Sequence, residues 1–188
     1  MKCYICNSTR HLRPLCPYKK EIQDMVDKKS GINFSMFVGT FVGCASNQNT
    51  DNLQTLVTES KGYAILDSGC STTVCGQIWL DSFVESLSDE ERFKIKIEPS
   101  AQTFTFGDGN TVKSKRKITI PCWMGGLKGE LSTDVVDCNI PLLLSRKSMK
   151  LVGMILDFNK DTVTVGKSGR NIKLKITKSG HYAMPLSL

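Results

Sequence analysis

Histidine is almost absent from this chain, whose 188 residues contain two, His11 and His181. His11 falls among the N-terminal cysteines, so His181 alone is left for any imidazole-centred triad; near the terminus it reads as a structural or surface residue. Long apolar runs are missing as well. No stretch approaches the ~20 residues needed to span a bilayer, and the N-terminus lacks the apolar core of a secretory signal. We therefore expect a cytoplasmic, non-secreted protein without a membrane partner. Internal repeats and long low-complexity segments are also lacking. With hydrophobic residues at 40% and charged residues at 23%, the chain can bury one ordinary core and carry a small appended module.

Acidic residues are missing from positions 1–20, which hold Lys2, Arg10, Arg13, Lys19 and Lys20. This short segment supplies most of the net charge of +7, and the remainder is close to balanced. An anionic partner is therefore expected at the N-terminus rather than over the whole surface. Eight cysteines are present. Three fall at metal-ligand spacing, and the other five, Cys44, Cys70, Cys75, Cys122 and Cys138, are scattered among apolar or strand-like stretches, which fits reduced thiols better than a disulfide framework.

The opening C-Y-I-C-N-S-T-R-H-L-R-P-L-C places Cys3, Cys6, His11 and Cys16 in the pattern C-x2-C-x4-H-x4-C. Three thiolates and one imidazole satisfy the tetrahedral preference of Zn²⁺, and a segment this short cannot bury a core, so metal binding has to supply its folding energy. The pattern resembles the zinc knuckle of retroviral and retrotransposon nucleocapsid proteins at all four ligands. That resemblance implies binding of single-stranded RNA or DNA, with a base stacked on an aromatic or apolar platform and basic residues on phosphates. Tyr4 lies between the first two ligands, and Arg10, Arg13, Lys19 and Lys20 are placed for the electrostatics. Leu12 stands where many knuckles have glycine or an aromatic, so weak, salt-sensitive binding is expected.

The knuckle is expected over residues 1–20, a polar linker over 21–32, and a second domain over 33–188. Residues 32–44 alternate apolar and small residues as strands do, and 45–54 form a polar loop. Two helices are expected in the second domain. The first runs from about Gly76 to Leu87, and beyond it Ser88 and Glu91 have capping-box spacing. The other follows Ser145, which can cap R-K-S-M-K-L-V before Gly153 closes it. F-T-F-G-D-G-N, K-I-T-I-P-C-W-M-G-G, G-E-L-S-T-D-V-V-D-C, D-T-V-T-V-G and N-I-K-L-K-I-T read as hairpin arms, giving a mainly β domain.

Residues 63–71 read Y-A-I-L-D-S-G-C-S. Alone, Asp-Ser-Gly is a turn signal. Here three apolar residues precede Asp67, so the carboxylate arrives at the end of a strand buried on both faces. A lone buried carboxylate is costly. The cost is met if two such loops meet, because paired carboxylates share one proton, Gly69 lets the backbones approach, and the Ser68 hydroxyl can bond across the pair.

The run Ile65, Leu66, Asp67, Ser68, Gly69, Cys70, Ser71 is similar to the active-site loop of retropepsins, the aspartic proteases of retroviruses and retrotransposons. Two further segments carry the resemblance. Phe104 to Val112 makes a glycine-rich hairpin about forty residues beyond Asp67, where a retropepsin has the flap that closes over substrate; Phe106, Gly107, Asp108 and Gly109 would form its tip. Residues 139–149, N-I-P-L-L-L-S-R-K-S-M, look like the family's strand–helix element, with Ser145 in place of its usual glycine. The resemblance implies a closed β-barrel of the acid-protease type with short helices. It further implies catalysis by Asp67, Ser68 and Gly69 without a cofactor, acting on peptide or polyprotein substrates in the cytoplasm or within a retroelement particle. One copy of the triplet in the chain makes a homodimer necessary, since each subunit contributes one aspartate.

Ser145, and Ser68 in place of the commoner threonine, keep a second reading open. In it the chain is a retroelement-derived nucleic-acid-binding or adaptor protein whose protease fold serves only to dimerise. The retropepsin-like shuttle proteins of the ubiquitin system fit less well, because no ubiquitin-like segment is visible. Cys70, beside Asp67, reads as a packing residue, and Trp79 and Trp123 as core. Asp134, Asp137, Asp157 and Asp161 lack a following Ser/Thr-Gly and cannot form a second loop.

Overall fold

The computed structural model describes residues 57–106, 111–166 and 169–187. All of these fall in the second of the chain's two units, Val38–Leu188. The proposed knuckle, with Cys3, Tyr4, Cys6, Arg10, His11, Arg13, Cys16, Lys19 and Lys20, lies outside the described residues, as do the linker, residues 33–56 and the hairpin tip at Gly107, Asp108 and Gly109.

Strand β1 (Tyr63–Asp67) is flanked on one side by β13 (Tyr182–Pro185), antiparallel, and on the other by β8 (Leu142–Ser145), parallel. The next strand in the chain, β2 (Val74–Gly76), does not pair with β1. Strand β8 is inserted between them, antiparallel to β2 at Val74 and Leu143. Beyond β2 come β7 (Leu127–Val136), β6 (Arg116–Met124) and β3 (Lys96–Pro99). With β12 (Lys175–Ile176) outside β13, the sheet has eight described strands in the order β12-β13-β1-β8-β2-β7-β6-β3.

Strands β6 and β7 form a long hairpin closed by Gly125 and Gly126, with φ of 63° and 76°. A two-residue turn of this hand needs φ > 0 at both positions, which glycine supplies without steric cost. Two smaller sheets complete the described fold. One is the hairpin of β4 (Thr103–Thr105) and β5 (Thr111–Lys113); the other joins β9 (Ile155–Asp157), β10 (Thr162–Thr164) and β11 (Asn171–Lys173).

The expected closed barrel does not form among the described residues: the outer strands β12 and β3 do not pair with each other, so the sheet is open. The reason lies in the edges. Every residue of β3 is exposed, it carries Lys96 and Glu98, and it ends in Pro99; β12 is two residues long. Short or charged edges with proline resist further strand pairing.

Both sheet faces are covered. Ala64, Leu66, Leu142 and Leu144 belong to the larger core, whereas Ile65, Leu143 and Ala183 belong to a smaller one. The continuous apolar runs of β1 and β8 thus reflect strands buried on both sides, as the residues before Asp67 imply. Helix α1 (Gln77–Ser86) covers the larger core with Trp79, Leu80 and Phe83. Trp79 is fully buried, stacks on Phe83 one turn later at 5.1 Å, and donates Nε1–H to the Ser60 carbonyl at 2.9 Å.

Ser88 caps α2 (Asp89–Arg92) in a capping box with Glu91, and Ser145 caps α3 (Arg146–Leu151), both where the sequence places them. Among the cysteines, Cys70, Cys75 and Cys122 are free thiols, but Cys138 is disulfide-bonded, which corrects the expectation of reduced thiols at that position.

We expect Trp79→Ala to cost about 3–5 kcal/mol, the range for deleting a buried large aromatic. Trp79→Phe keeps the stacking but loses the Nε1–H bond to the Ser60 carbonyl, which still accepts from the Tyr63 amide at 2.9 Å, at a cost of about 0.5–1.5 kcal/mol. Urea unfolding monitored by far-ultraviolet circular dichroism measures both, and a loss below 1 kcal/mol for the alanine variant would contradict this packing.

Candidate active site

Asp67 closes β1 where the strand leaves the core. Side chains alternate along a strand, so Asp67 shares the face of Ile65, and Ile65 lies in the smaller of the two cores. The same alternation places Ser145 on the face of Leu143, and Asp67 and Ser145 are direct partners in the parallel β1–β8 ladder. The hairpin reaches this face too. Phe104 is part of the smaller core, and Phe106 and Cys70 pack against it. The fold therefore brings together two features far apart in sequence, the Asp-Ser-Gly loop and the described base of the expected flap.

The chain turns sharply after Asp67. The amides of Gly69 and Cys70 donate to Asp67 Oδ1 at 2.9 and 3.2 Å, and the Cys70 amide also reaches the Asp67 carbonyl at 3.2 Å. A Cβ at position 69 would stand 3.3 Å from Asp67 Oδ1, so glycine leaves the carboxylate room. Asp67 itself is half-buried, and Ser68 and Gly69 are exposed. Burial raises the carboxyl pKa above its ordinary value, opposed by the Gly69 and Cys70 amides and by the charge of His181. A carboxyl held by two dipoles yet partly desolvated can serve as either proton donor or acceptor.

A hydroxyl cluster clamps the loop from behind. Ser145 N–H donates to Thr73 Oγ1 at 3.2 Å, Thr73 Oγ1 donates to Ser145 Oγ at 3.0 Å, and Thr73 and Ser148 hydroxyls lie 2.8 Å apart. Ser145 also accepts from Ser148 N–H at 3.3 Å as the N-cap of α3. Arg146 N–H adds a bond to the Cys70 carbonyl at 3.1 Å. Ser145 is thus accommodated as a buried, fully engaged hydroxyl, and it ties the start of α3 to the loop that bears Asp67.

Three of the other aspartates have structural tasks, in keeping with their lack of a following Ser/Thr-Gly. Asp134 is buried and accepts from Ser100 Oγ at 2.5 Å; Asp157 accepts from the Asn159 and Lys160 amides; Asp161 accepts from the Tyr182 hydroxyl. Trp79 is core as expected, while Trp123 is only partly buried, with Lys128 Nζ 5.6 Å above its ring.

His181, which the sequence alone gives no part in the site, lies close to it. His181 is buried, not at the surface, and its charge and that of Asp67 influence each other. No spacing signal links positions 67 and 181; only the β1–β13 pairing does. The histidine does not revive a cysteine nucleophile. Cys70 Sγ donates to the Thr72 carbonyl at 2.8 Å, and burial together with the nearby Asp67 charge pushes its thiol up to about 11, the wrong direction for a thiolate.

Among the described residues no group of three or more His, Cys, Asp or Glu side chains could hold a metal ion, and no helix is long and apolar enough to cross a membrane. A cavity of about 290 Å³ lies away from Asp67, lined by Gln77, Lys113, Lys115, Arg116, Val135, Val136 and Asp137.

Neither a protein-family model nor a curated protein matches the chain. Among solved structures it is similar to the retroviral protease-like domain of Ddi1 from Leishmania major, at a TM-score of 0.40 and 14% identity over 57% of this chain and 90% of that domain.

Cys70 provides a check on the loop's polarity. Its alkylation rate, followed by peptide mass mapping, should rise through an inflection near pH 11. At pH 8 the reaction should run about 100-fold slower than for an unperturbed thiol. A fast, low-pH alkylation would mean that the thiol does not sit in this environment.

Proposed function

We propose that the chain is an aspartic endopeptidase of the retropepsin type, acting as a homodimer on retroelement polyprotein, and that residues 3–16 form a zinc knuckle for single-stranded nucleic acid. One observation carries the peptidase reading. A strand buried on both faces delivers Asp67 to an exposed Ser-Gly turn, where two amides hold its carboxylate, and the base of a glycine-rich hairpin packs on the same face. The insertion of β8 between β1 and β2, leading into α3 behind the loop, supports it.

In this reading the exposed Ser68 and Gly69 turns of two protomers meet. The two Asp67 carboxyls then share one proton, because like charges at such proximity cannot both ionise. A water held between them attacks the scissile carbonyl, the ionised carboxylate takes its proton, and the protonated one donates to the carbonyl oxygen; a later proton transfer to the amide nitrogen releases the products. Substrate binds extended, pairing its backbone with the Phe106–Gly109 hairpin and offering apolar side chains to pockets. No cofactor takes part.

At the knuckle, the Cys3, Cys6 and Cys16 thiolates and the His11 imidazole are the donor set for a structural Zn²⁺, which supplies folding energy and no chemistry. Tyr4 offers a stacking surface, and Arg10, Arg13, Lys19 and Lys20 meet phosphates. The adaptor reading keeps this knuckle and the dimer but no cleavage. The engagement of Ser145 with Thr73 and Ser148 favours the peptidase, since the serine seats without opening the loop.

Asp67→Asn should abolish cleavage of a peptide library while the protein still folds and dimerises; undiminished cleavage by the variant would remove the mechanism. Its stability carries a second signature. Burial raises the folded-state pKa of Asp67 above the unfolded value, so the carboxyl binds its proton more tightly when folded. Ionisation then costs stability as pH rises through the folded-state value, and no cost exists below the unfolded one. The asparagine variant should therefore be the more stable protein at pH 7, and the difference should vanish in strong acid. For the knuckle, chelating zinc should eliminate binding of single-stranded oligonucleotide in a fluorescence anisotropy titration and leave cleavage of short peptides unchanged.

A further inference from the structure

The β1–β13 ladder pairs Tyr63 with Pro185, Ala64 with Met184 and Ile65 with Ala183. Continued by two residues in the same antiparallel register, it sets His181 opposite Asp67. Alternation also puts His181 on the face of Ala183, which belongs to the same small core as Ile65 and Leu143. Asp67 thus has Ser145 as its ladder partner from β8, and His181, one residue before β13, stands two residues beyond the last β1–β13 pair on the other side.

The histidine is held firmly. It is 3% exposed. Its amide donates to Thr177 Oγ1 at 3.0 Å, and its carbonyl accepts from the Thr177 amide at 2.9 Å. Ring Nδ1 lies 3.1 Å from the Ser179 carbonyl. A carbonyl can only accept, so Nδ1 carries a proton and Nε2 is the atom that gains or loses one. We propose that His181 is a positioning residue of the Asp67 site: buried across the β1–β13 pair and oriented by Ser179, its imidazole sets how tightly the Asp67 carboxyl holds its proton.

Among the described residues, the charged side chains near the pair are engaged elsewhere or exposed. On the turn of His181, Lys178 pairs with Glu59 at 3.6 Å. On β12, Lys175 donates to the Glu59 carbonyl and sits over the Tyr63 ring. From β8 the facing residue is the uncharged Ser145, and the following Arg146 is exposed. Cys70, whose thiol feels the Asp67 charge, is neutral at physiological pH.

Burial keeps the imidazole neutral at neutral pH, and the Asp67 charge works against that burial. As pH falls the two groups compete for protons as a coupled pair: an imidazolium favours ionised Asp67, and a protonated Asp67 removes the reason for the imidazolium. This deepens the peptidase reading and rests on it for its catalytic meaning, because a dyad must hold one proton and release the other.

The test is a pair of NMR titrations on the full chain, observing the Asp67 carboxyl carbon and the His181 imidazole. His181→Asn keeps an amide donor for the Ser179 carbonyl while removing the titrating ring. It should move the Asp67 titration upward. Asp67→Asn should move the His181 titration downward by an equal amount, since coupling between two sites is reciprocal. If the asparagine variant at position 181 unfolds, the Asp67→Asn arm still decides. In an active chain the cleavage–pH profile of His181→Asn should shift to higher pH, which loss of packing alone does not produce.

Asp67 and His181 titrations that ignore each other's replacement would overturn the proposal, even in a chain that cleaves peptides. Reciprocal shifts in a chain that cleaves nothing would uphold it and instead remove the peptidase reading.

Discussion

A strand buried on both faces can end in a carboxylate only where its surroundings supply dipoles for the charge, and Asp67 meets that condition narrowly. The Gly69 and Cys70 amides converge on one oxygen, yet desolvation still outweighs them and keeps the proton affinity above the ordinary level. Much else near the site follows from holding that balance. Position 69 is kept open for the carboxylate, Cys70 is kept protonated by the same burial and charge, and the Thr73–Ser145–Ser148 hydroxyls keep the loop from relaxing toward solvent.

The clamp exists because β8 slides between β1 and β2. That insertion puts residues 67 and 145 side by side and lets one strand carry both the loop's ladder partner and the cap of the helix behind it. A serine at the junction can do two jobs that a glycine cannot, capping α3 and bonding Thr73. What looks in the sequence like a departure from the retropepsin pattern is, in the fold, an exchange of backbone freedom for side-chain hydrogen bonds.

Local features were legible beforehand. The Ser88–Glu91 capping box, the Ser145 cap and the apolar run into Asp67 each depend on neighbours a few residues away, and each appears where spacing places it. Closure of the barrel was not legible, because it depends on whether β12 and β3 meet, and among the described residues their short and charged edges do not. The bonded state of Cys138 was equally hidden, since pairing is a matter of approach in space.

His181 marks the boundary most clearly. By itself the sequence determined that a carboxylate ends a core strand, that one such loop exists per chain, and that four ligands at the N-terminus suit zinc; these follow from residue type and spacing. Only the tertiary structure decided which residues flank the carboxylate, because the β1–β13 ladder, ending at Ile65 and Ala183, brings residues 67 and 181 to the same end of the strand pair although they are far apart in the chain. Local sequence sets which residues can be buried or charged, and register sets which of them feel one another's charge.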